Sequence, residues 1–298
     1  MKSLLFTGAS GFLGSNTLFK LIRQYDVDTL NFSNSSTYEV NLANQKPVLN
    51  RRYEIVLHAS GKAHCIPSNK EDENQFYAIN FQGTKNICAG LEKFDPPDSF
   101  VFISTVAVYG CESGECLTED SRLDPNTPYG KSKLQAEQYL SEWCEHRCVS
   151  LTILRPSLLA GRNPPGNLGA MINGIASGRY LSIADGKARK SIAMAEDIAR
   201  LIPHCENKSG IFNLCDDLNP SFRELEELIS KQLNKPLPIG IPMWLAKCLA
   251  TTGDLFNLSV INTQKLCKIT QTLTFSNEKI KNELGFFPSN VLDNFVIR

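Results

Sequence analysis

The chain has 298 residues, 42% hydrophobic and 21% charged, with thirty-one basic residues balancing thirty-one acidic ones. That length builds one large domain or two modest ones, and a net charge of zero offers no attraction to nucleic acid or to an anionic membrane. No apolar run approaches the roughly 18 residues of a membrane helix, and glycines break the start "MKSLLFTGASGFLG" too early for an export signal; the expectation is a cytoplasmic protein with neither nucleic acid nor membrane as partner.

Residues 2–7, "KSLLFT", read as a short apolar strand running into a glycine turn, and 11–25 as a helix with Leu13, Thr17, Leu18, Leu21 and Ile22 at helical spacing. "VDTLNF" (27–32) is a second strand and "YEIVLHAS" (53–60) a third. "NQFYAINFQGTKNICAGLEKF" (74–94) is helical with Asn80 in its middle. "SFVFISTVAVYG" (99–110) reads as a continuous apolar strand ending in a turn. The helix "NTPYGKSKLQAEQYL" (126–140) comes after it, with Tyr129 and Lys133 as i, i+4 neighbours on one face. "VSLTILRPSLLAG" (149–161) is another buried strand. Strands apolar on both faces that alternate with helices predict an α/β fold, a doubly wound parallel sheet covered on both sides.

Beyond 160 the pattern loosens. "RNPPGN" is a loop and "LGAMINGIASGRY" (168–180) a helix; "KSIAMAEDIARLIPHC" (190–205) is a strand entering a helix, and "GIFNLC" (210–215) one more strand. Three helices are predicted after it. One lies in 220–236, begun by Pro220 and Ser221. The second, in 242–257, lacks the basic polar face of a membrane helix and is read as packed. The third, in 275–288, ends at a glycine. The tail "NVLDNFVIR" is expected to be partly disordered. Ten cysteines show no paired C-x2-C spacing, although Cys144 and Cys148 flank His146 and Cys111 and Cys116 flank "ESGE". They are read as reduced thiols acting as small hydrophobes, with no metal.

"TGASGFLG" (7–14) sets glycines at 8, 11 and 14 between the first strand and the first helix. Gly8 allows the turn, Gly11 lets backbone approach a pyrophosphate, and Gly14 permits close helix–strand packing. The helix start then supplies free N–H groups and positive partial charge to phosphates. The spacing is G-x-x-G-x-x-G; a tight turn alone also favours glycine, so the motif gains its meaning from the Tyr-Lys helix further along the chain.

Taken with that helix, the sequence resembles the extended short-chain dehydrogenase/reductase family, in particular its nucleotide-sugar epimerases, dehydratases and reductases. Eight motifs in family order carry the resemblance across nearly the whole chain: "TGASGFLG", "LHASG" (57–61), "AINFQGT" (78–84), "ISTVAVYG" (103–110), "PYGKSK" (128–133), "LRPSLLAG" (154–161), "KSIAMAEDIA" (190–199) and "KNELGFFP" (281–288). The resemblance implies a Rossmann fold over 1–160, with 189–215 returning to its sheet, and a smaller C-terminal α/β domain, mainly 161–298, that binds a nucleotide sugar. It implies Tyr129 as catalytic acid/base, Lys133 lowering its pKa and binding the nicotinamide ribose, and Thr105, beside Ser104, bonding the same sugar oxygen. A free phenol titrates near ~10, so such help is needed at neutral pH.

By the same resemblance NAD or NADP would lie on Gly8, Ser10, Gly11, Phe12, Leu13 and Gly14 of the glycine loop. Asn31, Ser33, Asn41 and Leu42 would face its adenosine. Ala59, Ser60, Gly61, Asn80, Tyr129, Lys133 and Pro156 would complete the site. Substrate contacts fall on His64, Thr105, Asn167, Arg189 and Lys190. Where NAD-dependent relatives end strand two with an aspartate, "LNFSNSS" has no acid, yet no cation within 31–36 awaits a 2′-phosphate, so the choice of dinucleotide stays open. Family dehydratases carry an Asp-Glu pair directly after the threonine; here Val106 and Ala107 cannot transfer protons, which argues against a 4,6-dehydratase. A cofactor sensor on this fold would drop the tyrosine. Two reactions remain, a C4 epimerase acting on a UDP-sugar through a 4-keto intermediate and a 4-keto-sugar-nucleotide reductase. "PYGKSKLQAEQ" favours the first; the short stretch 33–47 is nearer the second. The implied setting is surface-polysaccharide synthesis. A homodimer is implied too, through two helices per subunit with Tyr139 and Trp143 at the contact.

Overall fold

The computed structural model describes residues 1–32, 35–63, 65, 67–255 and 263–297. In chain order the first half contains β1 (Ser3–Thr7), α1 (Phe12–Leu21), β2 (Asp26–Asn31), β3 (Tyr38–Glu39), β4 (Ile55–His58), α2 (Lys70–Phe76), a π-helical segment (Tyr77–Gln82), α3 (Gly83–Leu91), β5 (Ser99–Ile103), β6 (Gly114–Leu117) and α4 (Pro128–His146). The second half contains β7 (Ser150–Pro156), β8 (Leu158–Ala160), α5 (Gly166–Ala176), β9 (Leu181–Ile183), β10 (Ile192–Met194), α6 (Asp197–Cys205), β11 (Gly210–Leu214), α7 (Phe222–Leu233), β12 (Ile239–Ile241), α8 (Met243–Leu255), α9 (Thr263–Thr270), β13 (Leu273–Phe275), α10 (Glu278–Leu284) and α11 (Val291–Asn294).

Among the described residues, seven strands form one sheet in the order β11-β7-β5-β4-β1-β2-β3, parallel at every pairing. This is the doubly wound α/β arrangement the alternating pattern predicts. Side chains alternate across it with period two. Leu4, Phe6, Leu57, Val101 and Ile103 face one way and pack with Leu13 and Leu21 of α1 and Ile198, Leu201 and Ile202 of α6. Leu5, Val56, Phe100 and Phe102 face the other way, onto Ile87 and Leu91 of α3 and Ala136, Leu140 and Trp143 of α4. The winding direction reverses between β1 and β4, so a crevice opens beyond their carboxyl ends, Thr7 and His58, where such sheets hold ligands.

Several elements differ from expectation. The run 99–110 stops being strand at Ile103; Thr105 caps a 3-10 turn over Val106–Tyr109, its Oγ1 accepting the Ala107 N–H at 3.1 Å. The run 149–161 divides at Pro156, and β8 leaves the sheet to pair with β10. The helix expected over 74–94 is two α-helices joined by the π segment. Through Ile297 the tail is folded, not disordered: Val291 and Phe295 are buried against Leu225 and Ile229 of α7, and Gln232 bonds the backbone of Phe295 and Ile297. Four residues of helix are too few for a period to show in sequence. Trp143, expected at a subunit contact, lies in the protomer core, its ring edge-on to Phe100 and its Nε1 donating to Glu92 at 3.1 Å. All ten cysteines are free; Cys88, Cys144, Cys205 and Cys215 are buried, whereas Cys65, Cys111, Cys116, Cys148 and Cys248 are exposed, so the small-hydrophobe reading holds for only part of the set.

Candidate active site

A cleft of about 1080 Å³ occupies the crevice. Its floor is the glycine loop. Gly8 has φ +81°, a left-handed conformation, and a Cβ there would lie 2.7 Å from the Ser60 nitrogen. At Gly14 a Cβ would sit 2.1 Å from the Ala9 carbonyl oxygen. Gly14→Ala is therefore expected to destabilise the protein by about 1–3 kcal/mol through overpacking, read as a lower urea midpoint with an unchanged slope. Gly11 differs: a Cβ there would meet nothing nearer than the Gly8 oxygen at 3.4 Å, so this backbone faces the cleft. Gly11 caps α1 with no side-chain hydrogen bond and no acid stands in the first turn, leaving the positive helix end available to an anion. The Ser10 N–H donates to Asn31 Oδ1 at 3.2 Å, which ties the loop to the end of β2. These features fit a dinucleotide pyrophosphate by chemistry and by space.

The opposite wall carries the groups expected to react. Thr105 stands just past β5, and Tyr129 lies in the first turn of α4, which Thr127 caps and Pro128 opens. The Tyr129 ring packs against Phe76, with centroids 6.3 Å apart. Burial pushes the phenol above its usual range, opposed by a hydrogen bond with Thr105. Lys133 is buried one turn on; its Nζ donates to the Ile103 carbonyl at 2.8 Å and lies 4.7 Å from the centre of the Phe102 ring. Gly61 leaves room for that head group, since a Cβ would come within 3.1 Å of Nζ. The Ile103 carbonyl and the Thr105 hydroxyl thus divide the pair between them, and Lys133 is not among the groups that lower Tyr129 in this geometry.

Burial lowers Lys133 to about 8, with Glu137 opposing. The unfolded chain keeps this proton up to about pH 10.4, so protonating the buried amine costs the fold about 3 kcal/mol at neutral pH. The cost is complete below pH 8 and vanishes as pH climbs toward 10.4. Lys133→Met is expected to raise the unfolding free energy at pH 7 by about 1–2 kcal/mol, the lost Ile103 hydrogen bond offsetting part of the gain. Urea melts between pH 7 and 10 should show that gain shrinking.

Gly8, Ser10, Gly11, Phe12, Leu13, Asn31, Ala59, Ser60, Gly61, Thr105, Tyr129, Lys133, Pro156 and Asn167 all line the cleft. Others expected at the site stand away from its wall. Leu42 is in the core, Asn41 accepts the Ala43 N–H in a turn, and Gly14 serves packing. Asn80 sits behind the wall, donating to Ser132 Oγ at 2.9 Å and to the Lys62 carbonyl while accepting the Lys62 N–H at 2.7 Å. Arg189 is turned to the Leu218 and Asn219 carbonyls and to Glu224. Lys190 is half-buried, lowered to about 8 by burial and by the neighbouring Lys268, with Glu112 opposing. Ser33 and His64 lie outside the described residues. Lys268 and Glu112 line the cleft and were not anticipated. Lys268 rides on α9, whose Leu266 and Ile269 were a readable helical signal; Glu112 is in a loop and gave none.

A model of the NAD dependent epimerase/dehydratase family matches residues 4–215. The chain belongs to that family. Among relatives in the family's range, N-acetyl-alpha-D-glucosaminyl-diphospho-ditrans,octacis-undecaprenol 4-epimerase of Escherichia coli O157:H7 is 28% identical, covering 90% of this chain and 86% of its own. The UDP-glucose 4-epimerase of Vibrio cholerae is 26% identical over 98% of this chain and 92% of its own. The solved UDP-glucose 4-epimerase of Thermotoga maritima, with UDP-glucose, superposes with a TM-score of 0.76 at 18% identity, covering 98% and 95%, and shows that the fold is shared. Family membership makes the chain an NAD-dependent enzyme.

Proposed function

We propose that the protein inverts C4 of a sugar carried on a diphosphate, with UDP as the carrier, through a 4-keto intermediate. The observation that carries this reading is the convergence of Tyr129, Thr105 and Lys133 on a cleft whose other wall is the glycine loop, with Val106 and Ala107 in place of an acid–base pair. A nicotinamide dinucleotide, when bound, would supply the oxidation of C4 and its return. Tyr129 takes the proton from the C4 hydroxyl and later gives it back, while Thr105 holds the same oxygen. Lys133, its Nζ held by the Ile103 carbonyl, would bind the nicotinamide ribose. We assign the dinucleotide to 1–160 together with 189–215, and the activated sugar to the remaining C-terminal elements, with Asn167, Lys190 and Lys268 beside it. Two neighbouring ammonium groups, that of Lys190 half-buried, suit a diphosphate as point charges.

The test is to denature the purified protein, identify any released dinucleotide by mass spectrometry, and then follow UDP-GlcNAc and UDP-galactose by NMR. C4 inversion with no net consumption of cofactor supports the reading. Oxidation of added NADPH or NADH by a 4-keto sugar nucleotide, without inversion, replaces it with the reductase. A second reading, in which the diphosphate bears a polyprenol in place of uridine, is favoured by the name of the Escherichia coli relative.

A further inference from the structure

The surface from Lys231 to Thr252 gathers several exposed apolar residues. Ile239 is 75% exposed and Trp244 67%, and Leu237 and Leu249 are also open to solvent. On the other face of α8, Ala246 and Ala250 are buried with Leu266 of α9 and Ile183 of β9. The helix therefore spends its small residues on packing and turns large apolar ones outward, the reverse of a solvated helix. Lys231, Lys235 and Lys247 are exposed in the same stretch, and residues 228–253 contain no acid. The flanking acids are Asp254 near the end of α8, Glu227, which pairs with Arg223, and Asp185, which pairs with Lys187.

We infer that this surface docks on an anionic phospholipid bilayer. Trp244, Ile239 and Leu249 would enter the boundary between headgroups and acyl chains, and the three lysines would meet lipid phosphates. A second copy of the chain fits less well, because a two-fold contact would bring two sets of three lysines together with Asp254 as the only acid of α8. Read from sequence, helix 242–257 lacked a basic face; the structure adds the lysines of α7 and of the segment after it, and turns the apolar residues outward. α8 packs on α9, and α9 carries Lys268 into the cleft, so docking sets the cleft one helix from the bilayer. That position suits a sugar whose diphosphate is esterified to a lipid, a point that rests on the 4-epimerase reading.

The test is sedimentation of the full chain with vesicles of phosphatidylglycerol and phosphatidylcholine, against phosphatidylcholine alone. Binding is expected on the anionic vesicles only, weakening with salt and falling about tenfold in Trp244→Ser/Leu249→Ser and in Lys235→Glu/Lys247→Glu. Trp244 emission should shift to the blue on binding, since Trp143 is already buried. Turnover of a soluble UDP-sugar should be unchanged in both variants. No sedimentation with anionic vesicles, or equal sedimentation of wild type and variants, overturns the inference, as does a dimer by light scattering that becomes a monomer in Trp244→Ser/Leu249→Ser. Vesicle binding without C4 inversion leaves the docking in place and removes the 4-epimerase reading.

Discussion

Tyr129→Phe is expected to lower turnover by about 10³-fold while leaving the fold and dinucleotide binding intact. The substitution removes one oxygen and keeps the ring that packs on Phe76. What is lost is the hydroxyl proposed to carry the proton on and off C4, together with its hydrogen bond to Thr105. Neither the glycine loop nor the core ion pair of α4 depends on that oxygen. A kcat close to wild type, with the melting curve unchanged, would withdraw the acid/base assignment. Thr105→Val makes a useful companion: it should reduce kcat less, since the phenol remains.

The second large effect concerns a charge pair with no place in the proton transfer. Arg155 and Glu137 are almost fully buried, and they bond in a fork, Nη2 to Oε2 at 2.6 Å and Nε to Oε1 at 3.1 Å. Arg155 Nη1 also donates to the Tyr109 hydroxyl at 3.0 Å, which in turn donates to Asn213 Oδ1, and Ser104 Oγ donates to Glu137. The network joins α4 to β7, to β11 and to the end of β5, which places Thr105 relative to Tyr129. Glu137→Ala leaves a guanidinium buried without its carboxylate and is expected to cost about 3–5 kcal/mol. Urea unfolding checks this directly. Glu137→Ala combined with Arg155→Met should cost much less than Glu137→Ala alone, because the uncompensated charge is then gone; equal losses would mean that packing, not charge, dominates.

The central sheet and the Tyr-Lys helix were legible because their signals are local. A strand buried on both faces writes a continuous apolar run, a strand–turn–helix joint writes glycines, and an i, i+4 pair writes itself into five residues. The remainder depends on contacts between distant segments. β3 is two residues long and exists because Leu30 and Asn31 pair with it; β13 and β6 pair across more than half the chain, and β12 with β9 across β10, α6, β11 and α7. Lys190 and Lys268 become neighbours only through that same folding. The lone Arg155 inside "LTILRPSLL" was a visible oddity, but nothing in its surroundings pointed to Glu137 as its partner.

The π segment at Tyr77–Gln82 places a constraint on length instead of composition. Such a turn holds one residue more than an α turn, and here it presents Asn80 to Ser132 while Ile87 and Leu91 still reach the sheet. Deleting any one of these six residues would offer the chain an unbroken α-helix with better local hydrogen bonds. The α turn that remains still completes one circle, so Phe76 and Ile87 would keep their facing, and the loss would fall on Asn80, which would swing away from Ser132. Loss of a single residue here would therefore cost the Asn80–Ser132 bond and spare the packing of the flanking helices, whereas exchanges of side chains at Phe81 or Gln82 would leave that bond in place.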